Sequence, residues 1–232
     1  MVDIHTHILP LIDDGSDSLN ASLEMIVGEI TNGVSHIFCT PHALRTDISP
    51  YTLVDLKNKF NEFKKRVEDN YPLKLYLGQE IFVRNHLVTS LRKKEVLTMN
   101  DTNYILLELP YNFMPENFEE ILYACKVLGL KIIIAHVERY SYLSFDDIEK
   151  FAEEGILLQV NSNSIVASAK NVRSKIHKLF KKNLISFVAS DIHSFRNNTM
   201  KEAYEFIQKK YGEKTARDVF YNNGRKYLNL EK

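Results

Sequence analysis

Short runs of apolar, β-branched residues alternate along the chain with longer amphipathic segments. The apolar runs are nearly uninterrupted, which is typical of parallel strands that helices cover on both faces. These runs predict seven strands, at residues 2–8, 34–40, 74–80, 104–109, 131–137, 156–161 and 185–191. The amphipathic segments, in which apolar residues recur at helical spacing, predict seven helices, at residues 18–32, 51–70, 116–128, 144–154, 170–182, 198–211 and 213–221.

The regular alternation of predicted strands and helices indicates an α/β fold. Seven parallel strands would close into a TIM-like (β/α) barrel or, failing that, form an open doubly wound sheet. The chain has 232 residues, a length at which α/β barrels are usually one domain. Since no stretch rich in Pro, Gly or Ser interrupts the pattern, residues 1–232 are predicted to form a single domain.

Polar residues that can bind metal fall where the predicted strands end. In parallel barrels these carboxyl ends and the loops after them form the active-site face. The residues at these positions are His5, His7, Asp13, Asp14, His42, Glu80, Glu108, His136, Asp191 and His193. Five of the chain's eight histidines belong to this set. A ring of imidazoles and carboxylates on one face predicts a pocket that holds several divalent cations.

Two spacings within this set support the interpretation. His5 and His7 are two residues apart on a strand, so their side chains leave the same face and can bind one ion. Asp191 and His193 repeat that spacing at the last strand, which a closed barrel places beside the first. A single His-x-His motif is weak evidence on its own, and a single acid after a strand is most often a helix N-cap. Asp13 is accordingly interpreted as a residue that orients its turn.

Charge and cysteine content narrow the classes of function. Lys and Arg together number 30, as do Asp and Glu, so the chain has no net charge that would attract nucleic acid. Two cysteines are too few for a disulfide framework and fit a reducing compartment. The first residues do not have the pattern of a signal peptide, and no apolar stretch is long enough to span a membrane. We therefore expect a cytoplasmic protein that neither binds nucleic acid nor spans the membrane.

One motif suggests a different chemistry. In FCTPHALRT, the spacing from Cys39 to Arg45 matches the phosphate-binding loop of cysteine-dependent tyrosine phosphatases. That loop binds phosphate with consecutive backbone N–H groups, but here it has no glycine and Pro41 removes one donor. Cys39 also falls within a predicted strand, where a cysteine packs as a small apolar residue. We therefore predict that the spacing is coincidental and that Cys39 is not a nucleophile.

Taken together, the motifs of the chain are highly specific. DIHTHILPLIDDG, TPHALR, GQEI, YILLELP, AHVERY and VASDIHS, in this order and spacing, resemble the bacterial tyrosine phosphatases of polysaccharide biosynthesis, which belong to the PHP (polymerase and histidinol phosphatase) superfamily. The resemblance covers almost the whole chain. It implies a distorted seven-stranded (β/α) barrel. It also implies an enzyme that removes phosphate from the C-terminal tyrosines of a cognate bacterial tyrosine kinase and thereby regulates capsular or exopolysaccharide synthesis.

The same resemblance implies three bound divalent metal ions, with Mn²⁺ as the expected metal and Fe or Zn as alternatives. The implied ligands are His5, His7, Glu80 and Asp191 for the first ion, Glu80, Glu108 and His136 for the second, and Asp14, His42 and His193 for the third.

Two arginines are implied to contact the phosphate. Arg139, in AHVER, matches one family arginine, and Arg196 matches a second. Together with Glu108 they form the implied catalytic set. Many relatives carry a basic or imidazole residue after the histidine of the TPH motif, where this chain has Ala43. This departure leaves the metal ligands intact and changes contacts to the substrate.

Three other functions remain open. A small-molecule phosphatase of the histidinol-phosphatase type would share the barrel and the metals. A metal-dependent nuclease or amidohydrolase also begins with His-x-His on its first strand. The neutral charge disfavours a nuclease, and the lack of a lysine at the end of the fourth predicted strand disfavours a carbamylated-lysine amidohydrolase. A non-catalytic module that binds the kinase or a metal would not need so complete a set of ligands.

Overall fold

A computed structural model of the protein describes residues 1–230 and has nine strands and ten α-helices in that range. The strands are β1 (Val2–Thr6), β2 (His36–Cys39), β3 (His42–Ala43), β4 (Lys74–Leu77), β5 (Glu80–Phe82), β6 (Tyr104–Glu108), β7 (Lys131–Ile134), β8 (Leu157–Asn161) and β9 (Phe187–Ala189). The helices are α1 (Leu19–Thr31), α2 (Leu53–Glu68), α3 (Leu87–Lys93), α4 (Phe118–Val127), α5 (Phe145–Glu153), α6 (Ser162–Ala167), α7 (Lys170–Lys181), α8 (Met200–Tyr211), α9 (Glu213–Arg217) and α10 (Asn223–Tyr227).

Helix α2 illustrates how the sequence specifies these elements. The Thr52 hydroxyl accepts the backbone N–H of Asp55, and the Asp55 carboxylate reaches back to Thr52, which forms a capping box. The residues that the helix buries recur at helical spacing: Leu56, Phe60, Phe63 and Val67. The apolar face therefore packs against the sheet while Lys and Glu side chains cover the other face.

All paired strands of the two sheets are parallel, as the alternation of elements predicts. One sheet has the order β1-β2-β4, and the other has the order β3-β5-β6-β7-β8-β9. Parallel strands end on the same edge, so the carboxyl ends of consecutive strands meet on one face of the molecule. The α/β class is therefore confirmed.

The predicted count of seven strands is not confirmed, because the described residues contain nine strands and the curled sheet contains six of them. Two predicted strands, at 34–40 and 74–80, are each interrupted near their carboxyl end. Strand β2 ends before Pro41 and β3 begins after it, while β4 and β5 are separated at the same level by Gly78 and Gln79. Proline has no N–H to donate to a neighbouring strand, so the regular ladder cannot continue through that level.

The segment after the last strand lies beside the first strand. Thr6 and Ile192 form a parallel bridge. The backbone N–H of His7 donates to the Ile192 oxygen at 3.1 Å, and the N–H of Asp191 donates to the His5 oxygen at 2.9 Å. These contacts between the two sheets bring residues 5–7 and 191–193 together, although they are far apart in the sequence.

Apolar side chains pack on both faces of the strands. One cluster, which includes Phe38, Leu106, Ile133 and Phe187, consists mainly of strand residues together with Leu228 near the C-terminus. The alternate strand residues, such as Ile105, pack against the helices in a larger cluster. Within residues 1–230, none of the helices is long and apolar enough to cross a membrane.

Every predicted helix corresponds to a helix in the structure, although 213–221 divides into α9 and a π-helical turn at Asp218–Asn222. Helices α3, α6 and α10 are additional. They have five to seven residues, too few to show a periodic apolar pattern.

Candidate metal centre

Seven of the nine predicted metal ligands lie at the carboxyl ends of the strands or in the loops that follow them, while His42 and Glu80 are the first residues of the short strands β3 and β5. All of them are buried except Asp14 and Glu108, whose side chains are 46% and 17% exposed. Seven of them form three overlapping clusters that could each hold a metal ion: His7, Asp14, His42 and His193; His5, His7 and Glu80; and His42, Glu80 and Glu108. His136 and Asp191 are outside these clusters and contact their members.

The most compact arrangement involves the four ligands predicted for the first ion. His5 Nε2 and His7 Nε2 are 3.1 Å apart, and they lie 3.3 and 3.2 Å from Glu80 Oε2. Asp191 Oδ1 is 3.8 Å from His5 Nε2 and 3.6 Å from His7 Nε2. Donor atoms bound to one ion at about 2.0–2.3 Å in tetrahedral geometry lie roughly 3.3–3.7 Å from one another. His5, His7 and Glu80 therefore have close to the spacing of one coordination shell, and Asp191 lies beside both imidazoles.

Glu80 connects this group to the ligands predicted for the second ion. Its Oε1 atom is 2.9 Å from His136 Nε2, and its Oε2 atom is 2.9 Å from His42 Nδ1. Glu108 Oε2 lies 3.7 Å from His42 Nδ1. The compact cluster therefore contains His42 with Glu80 and Glu108, while His136 contacts the group through Glu80.

The ligands predicted for the third ion converge on one carboxylate oxygen. Asp14 Oδ1 is 3.4 Å from His42 Nε2 and 3.6 Å from His193 Nε2. The ring of His7 lies between the two histidines, with centroids 4.4 Å from His42 and 4.3 Å from His193. His7 thus belongs to both the first and the third group.

Two buried atoms of the centre fit a bound cation better than a closed hydrogen-bond network. Glu108 Oε2 and His136 Nδ1 are buried and have no hydrogen-bond partner among the described residues. A buried polar atom without a partner destabilises the folded state, and such atoms are rare in proteins. The donor set combines imidazoles and carboxylates without a thiolate, which suits harder or borderline divalent cations such as Mn²⁺. The residues present therefore fit a metal centre.

Burial and neighbouring charges shift the pKa values of several side chains in the centre. Burial favours the neutral form of Glu80, but the imidazoles of His5 and His42 lower the pKa of its carboxyl well below the usual range. Burial opposes protonation of His42, but the Glu80 carboxylate raises the pKa of His42 to about 9. Hydrogen bonds with His193 and His42 lower the pKa of Asp14. The carboxylates of Glu80 and Asp14 are thus held in the anionic form, whereas burial raises the pKa of the Glu108 carboxyl.

Other polar residues orient the imidazoles. Asp13 Oδ2 accepts the His7 Nδ1–H at 2.7 Å, which leaves Nε2 of that ring facing Glu80. The predicted role of Asp13 as an orienting residue therefore agrees with the structure, although Asp13 orients a ligand as well as its turn. Gln159 Oε1 lies 3.2 Å from His5 Nδ1 and accepts the backbone N–H of His136 at 2.8 Å.

Gln159 is absent from the sequence-based set of site residues. It lies on β8 two positions before Asn161, so both side chains leave the same face of the strand. Asn161 Nδ2 donates to Asp191 Oδ2 at 2.8 Å, and Gln159 Nε2 donates to Asn161 Oδ1 at 2.8 Å. The signal that could have identified Gln159 is this pair of polar residues in the otherwise apolar run ILLQVN.

Both predicted arginines reach the centre through Asp191. Arg139 Nη1 donates to Asp191 Oδ2 at 3.1 Å, and Arg196 Nη1 donates to the same oxygen at 2.7 Å. Arg196 Nη1 also donates to the Asp191 backbone oxygen at 2.7 Å. Their side chains are 35% and 28% exposed, so each guanidinium lies between the buried ligands and solvent.

Two predicted ligands have strained backbone conformations. His136 has φ 32° and Asp191 has φ 50°, in the left-handed region that non-glycine residues rarely adopt. Such strain persists only where surrounding contacts enforce it, and it is concentrated at functional sites. The backbone turns at these positions aim both side chains into the cluster.

Cys39 lies in β2, fully buried, and burial raises the pKa of its thiol. A thiol that is both inaccessible and protonated cannot attack a phosphate. The structure agrees with the prediction that Cys39 is not a nucleophile.

Similarity to known proteins points in the same direction as the geometry. Residues 1–229 match a family model described as "Capsular polysaccharide synthesis, CpsB/CapC". The chain is 32% identical over 219 residues to the tyrosine-protein phosphatase YwqE of Bacillus subtilis, covering 91% of this chain and 85% of that protein.

The fold also matches solved structures. One comes from work on YwqE of Bacillus subtilis and CpsB of Streptococcus pneumoniae, described as unique metal-dependent tyrosine phosphatases. It superimposes with a TM-score of 0.91 and 29% identity, covering 100% of this chain and 96% of that one. A histidinol phosphate phosphatase of Lactococcus lactis, solved with zinc, has a TM-score of 0.58 and 12% identity over 90% of this chain and 94% of its own. At that identity the second likeness concerns the fold alone.

Proposed function

The chain belongs to the CpsB/CapC family of capsular polysaccharide synthesis, and on this basis we propose that it is a metal-dependent protein-tyrosine phosphatase. The observation that carries the proposal is the cluster of imidazoles and carboxylates at the carboxyl ends of the strands. A phosphoric monoester hydrolase needs concentrated positive charge at the phosphoryl group, and this cluster can hold the cations that supply it.

The proposed metal content is three divalent ions, with Mn²⁺ as the expected metal and Fe or Zn as alternatives. Bound cations would polarise the phosphoryl oxygens and lower the pKa of the attacking water. The proposed ligands are His5, His7, Glu80 and Asp191; Glu80, Glu108 and His136; and Asp14, His42 and His193. Their support is the spacing of the donor atoms and the unpartnered oxygen of Glu108.

The proposed catalytic residues are Arg139, Arg196 and Glu108. Each guanidinium is anchored to Asp191 and partly exposed, so it can bind the phosphoryl oxygens and stabilise the charge that develops on them. Glu108 is the last residue of β6, and its Oε2 atom lies 3.7 Å from His42 Nδ1. Glu108 is proposed both as a metal ligand and as a catalytic residue. The leaving phenol has a pKa of about 10, so little help from a general acid is required.

The proposed substrate is the phosphorylated C-terminal tail of a cognate bacterial tyrosine kinase, whose dephosphorylation regulates capsular or exopolysaccharide synthesis. The family match and the named activity of the relatives support this proposal. We also propose that residues 1–232 form a single catalytic domain located in the cytoplasm. The extent of the family model and two buried cysteines without a disulfide support these two statements.

The decisive comparison is between substrates. We expect metal-loaded protein to hydrolyse a phosphotyrosine peptide with a higher kcat/KM than the matching phosphoserine peptide, because phenolate leaves more readily than alkoxide. Histidinol phosphate is the reference for the alternative function. A higher kcat/KM on histidinol phosphate than on the phosphotyrosine peptide would replace the proposed function by a small-molecule phosphatase.

A further inference from the structure

A third arginine lies at the metal centre, on the loop after β3. Arg45 Nη1 is 3.0 Å from His42 Nε2, the nitrogen that faces Asp14. Arg139 and Arg196, in contrast, both contact Asp191. The Arg45 side chain is 24% exposed, so it lies between the buried ligands and solvent, as the side chains of Arg139 and Arg196 do.

The carboxylate of Asp47 occupies the Nε and Nη2 donors of Arg45, the pair with which a guanidinium binds an anion. Arg45 Nε donates to Asp47 Oδ1 at 2.9 Å, and its Nη2 donates to Asp47 Oδ2. This is the bidentate arrangement with which a guanidinium binds carboxylate or phosphate. The Asp47 side chain is 62% exposed, and exposed ion pairs between near neighbours contribute little to stability. Another anion can therefore replace Asp47 at small cost.

The loop holds Arg45 in place independently of Asp47. Arg84 Nη1 donates to the Leu44 backbone oxygen at 3.2 Å, and the Tyr51 hydroxyl donates to the His42 backbone oxygen. Gln79 Nε2 in turn donates to the Tyr51 hydroxyl at 3.0 Å. A cavity of about 210 Å³, lined in part by His42, Arg45 and Tyr51, lies next to this loop. The backbone before Arg45 is thus fixed next to a metal ligand.

We propose that Arg45 is a third phosphate-binding arginine of this enzyme and that Asp47 occupies its guanidinium until the phosphoryl group of the substrate replaces it. The inference rests on the proposed function. It assigns a role to the arginine of FCTPHALRT, in a loop where Ala43 offers no cationic side chain. Arg45 would bind a phosphoryl oxygen from the His42 end of the cluster, while Arg139 and Arg196 bind from the Asp191 end.

The two members of the pair should respond in opposite directions when substituted. Arg45→Ala removes the binding group, so we expect the Kd for inorganic phosphate and the KM for p-nitrophenyl phosphate to rise about tenfold. Asp47→Asn removes the competitor, so we expect both constants to fall by a factor of about two to five. Arg45→Lys keeps the charge but loses the fork and should fall between Arg45→Ala and wild type.

Phosphate binding would be measured by titration calorimetry on metal-loaded protein, with metal content and melting temperature measured for every variant. Arg217→Ala is the matched control, because Arg217 is an exposed arginine on α9. Unchanged phosphate affinity in Arg45→Ala with a full metal content would overturn the inference. So would a rise in both constants for Asp47→Asn.

Peptide substrates identify the source of the bound anion. If Arg45→Ala weakens only peptides with acidic residues beside the phosphotyrosine, and leaves inorganic phosphate binding unchanged, Arg45 does not bind the phosphoryl group and the inference is wrong. Equal weakening of acidic and neutral peptides supports it. Wild-type protein that binds phosphate through Arg45 but hydrolyses no phosphotyrosine would contradict the proposed function and leave the phosphate-binding role of Arg45 intact.

Discussion

Asp191 is the residue on which most polar contacts of the centre converge. Its Oδ1 faces His5 and His7, while its Oδ2 accepts hydrogen bonds from Arg139, Arg196 and Asn161. One carboxylate thus combines the proposed role of metal ligand with that of anchor for both proposed phosphate-binding side chains. The three donors on Oδ2 hold the carboxylate in place even if one of them is removed.

Because three donors bind Asp191 Oδ2, a substitution of Arg139 can test phosphate binding without disturbing the metal ligand. We expect Arg139→Ala to lower kcat/KM on a phosphotyrosine peptide by a factor of about ten to a thousand, as loss of a charge-stabilising group does. Metal content should stay at the wild-type level, because Arg196 and Asn161 still bind Asp191. Steady-state kinetics with metal analysis checks both points, and Arg217→Ala on α9 is the surface control. Loss of metal in parallel with activity would make Arg139 a structural residue.

A substitution of Cys39 tests whether this residue is the nucleophile of a cysteine-dependent phosphatase. We expect Cys39→Ser to keep most of the phosphatase activity and alkylating reagents to inhibit little, because the thiol is fully buried and burial raises its pKa. Cys125→Ser is the matched control, since Cys125 is a buried cysteine on α4. A folded, metal-replete Cys39→Ser protein without activity would restore Cys39 as the nucleophile.

The candidate ligands could be predicted from sequence because imidazoles and carboxylates recur at the ends of most predicted strands, where a single one of them would have been weak evidence. The structure brings all nine predicted ligands and both arginines to one centre. Gln159 was missed because an amide is a weaker indication of a metal site than an imidazole or a carboxylate, although its pairing with Asn161 in an apolar strand was visible in the sequence. His7 and His42 each belong to two of the three ligand clusters. This could not be predicted, because it depends on distances between loops that a sequence pattern does not contain.

At the scale of elements, the loop between β1 and α1 packs closely against His7, just after the end of β1. A Cβ atom on Gly15 would lie 2.1 Å from the His7 backbone oxygen and 2.2 Å from His7 Cβ. The Gly15 N–H donates to Asp13 Oδ1 at 3.0 Å, and its oxygen accepts the N–H of Ser194 at 2.7 Å. Glycine is thus required at this position for close approach, which places Asp13 and Asp14 beside the imidazoles.

We expect Gly15→Ala to displace this loop, lower metal content and reduce the free energy of unfolding by about 1–3 kcal/mol, the usual cost of overpacking. Gly28→Ala is the matched control, because a Cβ at Gly28 in α1 would meet nothing within 4 Å. That control should be neutral or stabilise the protein by up to about 1 kcal/mol, since alanine favours helix. Denaturant unfolding and metal analysis distinguish the two variants. Equal effects of both substitutions would contradict this account of the loop.

The long elements could be predicted from periodicity, and the interruptions could not. The predicted strand at 34–40 stops at Cys39, and a separate strand starts at His42, because Pro41 cannot donate to the ladder. A proline near the end of an apolar run indicates that pairing weakens there. It does not reveal that the neighbouring predicted strand also breaks, at Gly78 and Gln79, which follows from pairing between the two.

At the scale of the whole molecule, the centre depends on the approach of β9, at the end of the six-stranded sheet, to β1 of the three-stranded sheet. His5 and Asp191 are joined across that approach by a backbone hydrogen bond of 2.9 Å. The alternation of strands and helices predicts a parallel sheet but leaves open whether it closes or stays open. The order of the strands decides which residues meet. The resemblance to a known family implied a seven-stranded barrel, of which the α/β fold is confirmed and the strand count is not.

The central claim is that this cluster holds divalent metal that phosphotyrosine hydrolysis requires. The most direct test is exhaustive chelation of the protein, followed by titration with Mn²⁺ while bound metal per chain and hydrolysis of a phosphotyrosine peptide are measured together. We predict that activity disappears with the metal and returns in proportion to the ions bound. Asp191→Asn should bind less metal and turn over almost no substrate at any Mn²⁺ concentration. Full activity in metal-free protein would contradict the claim.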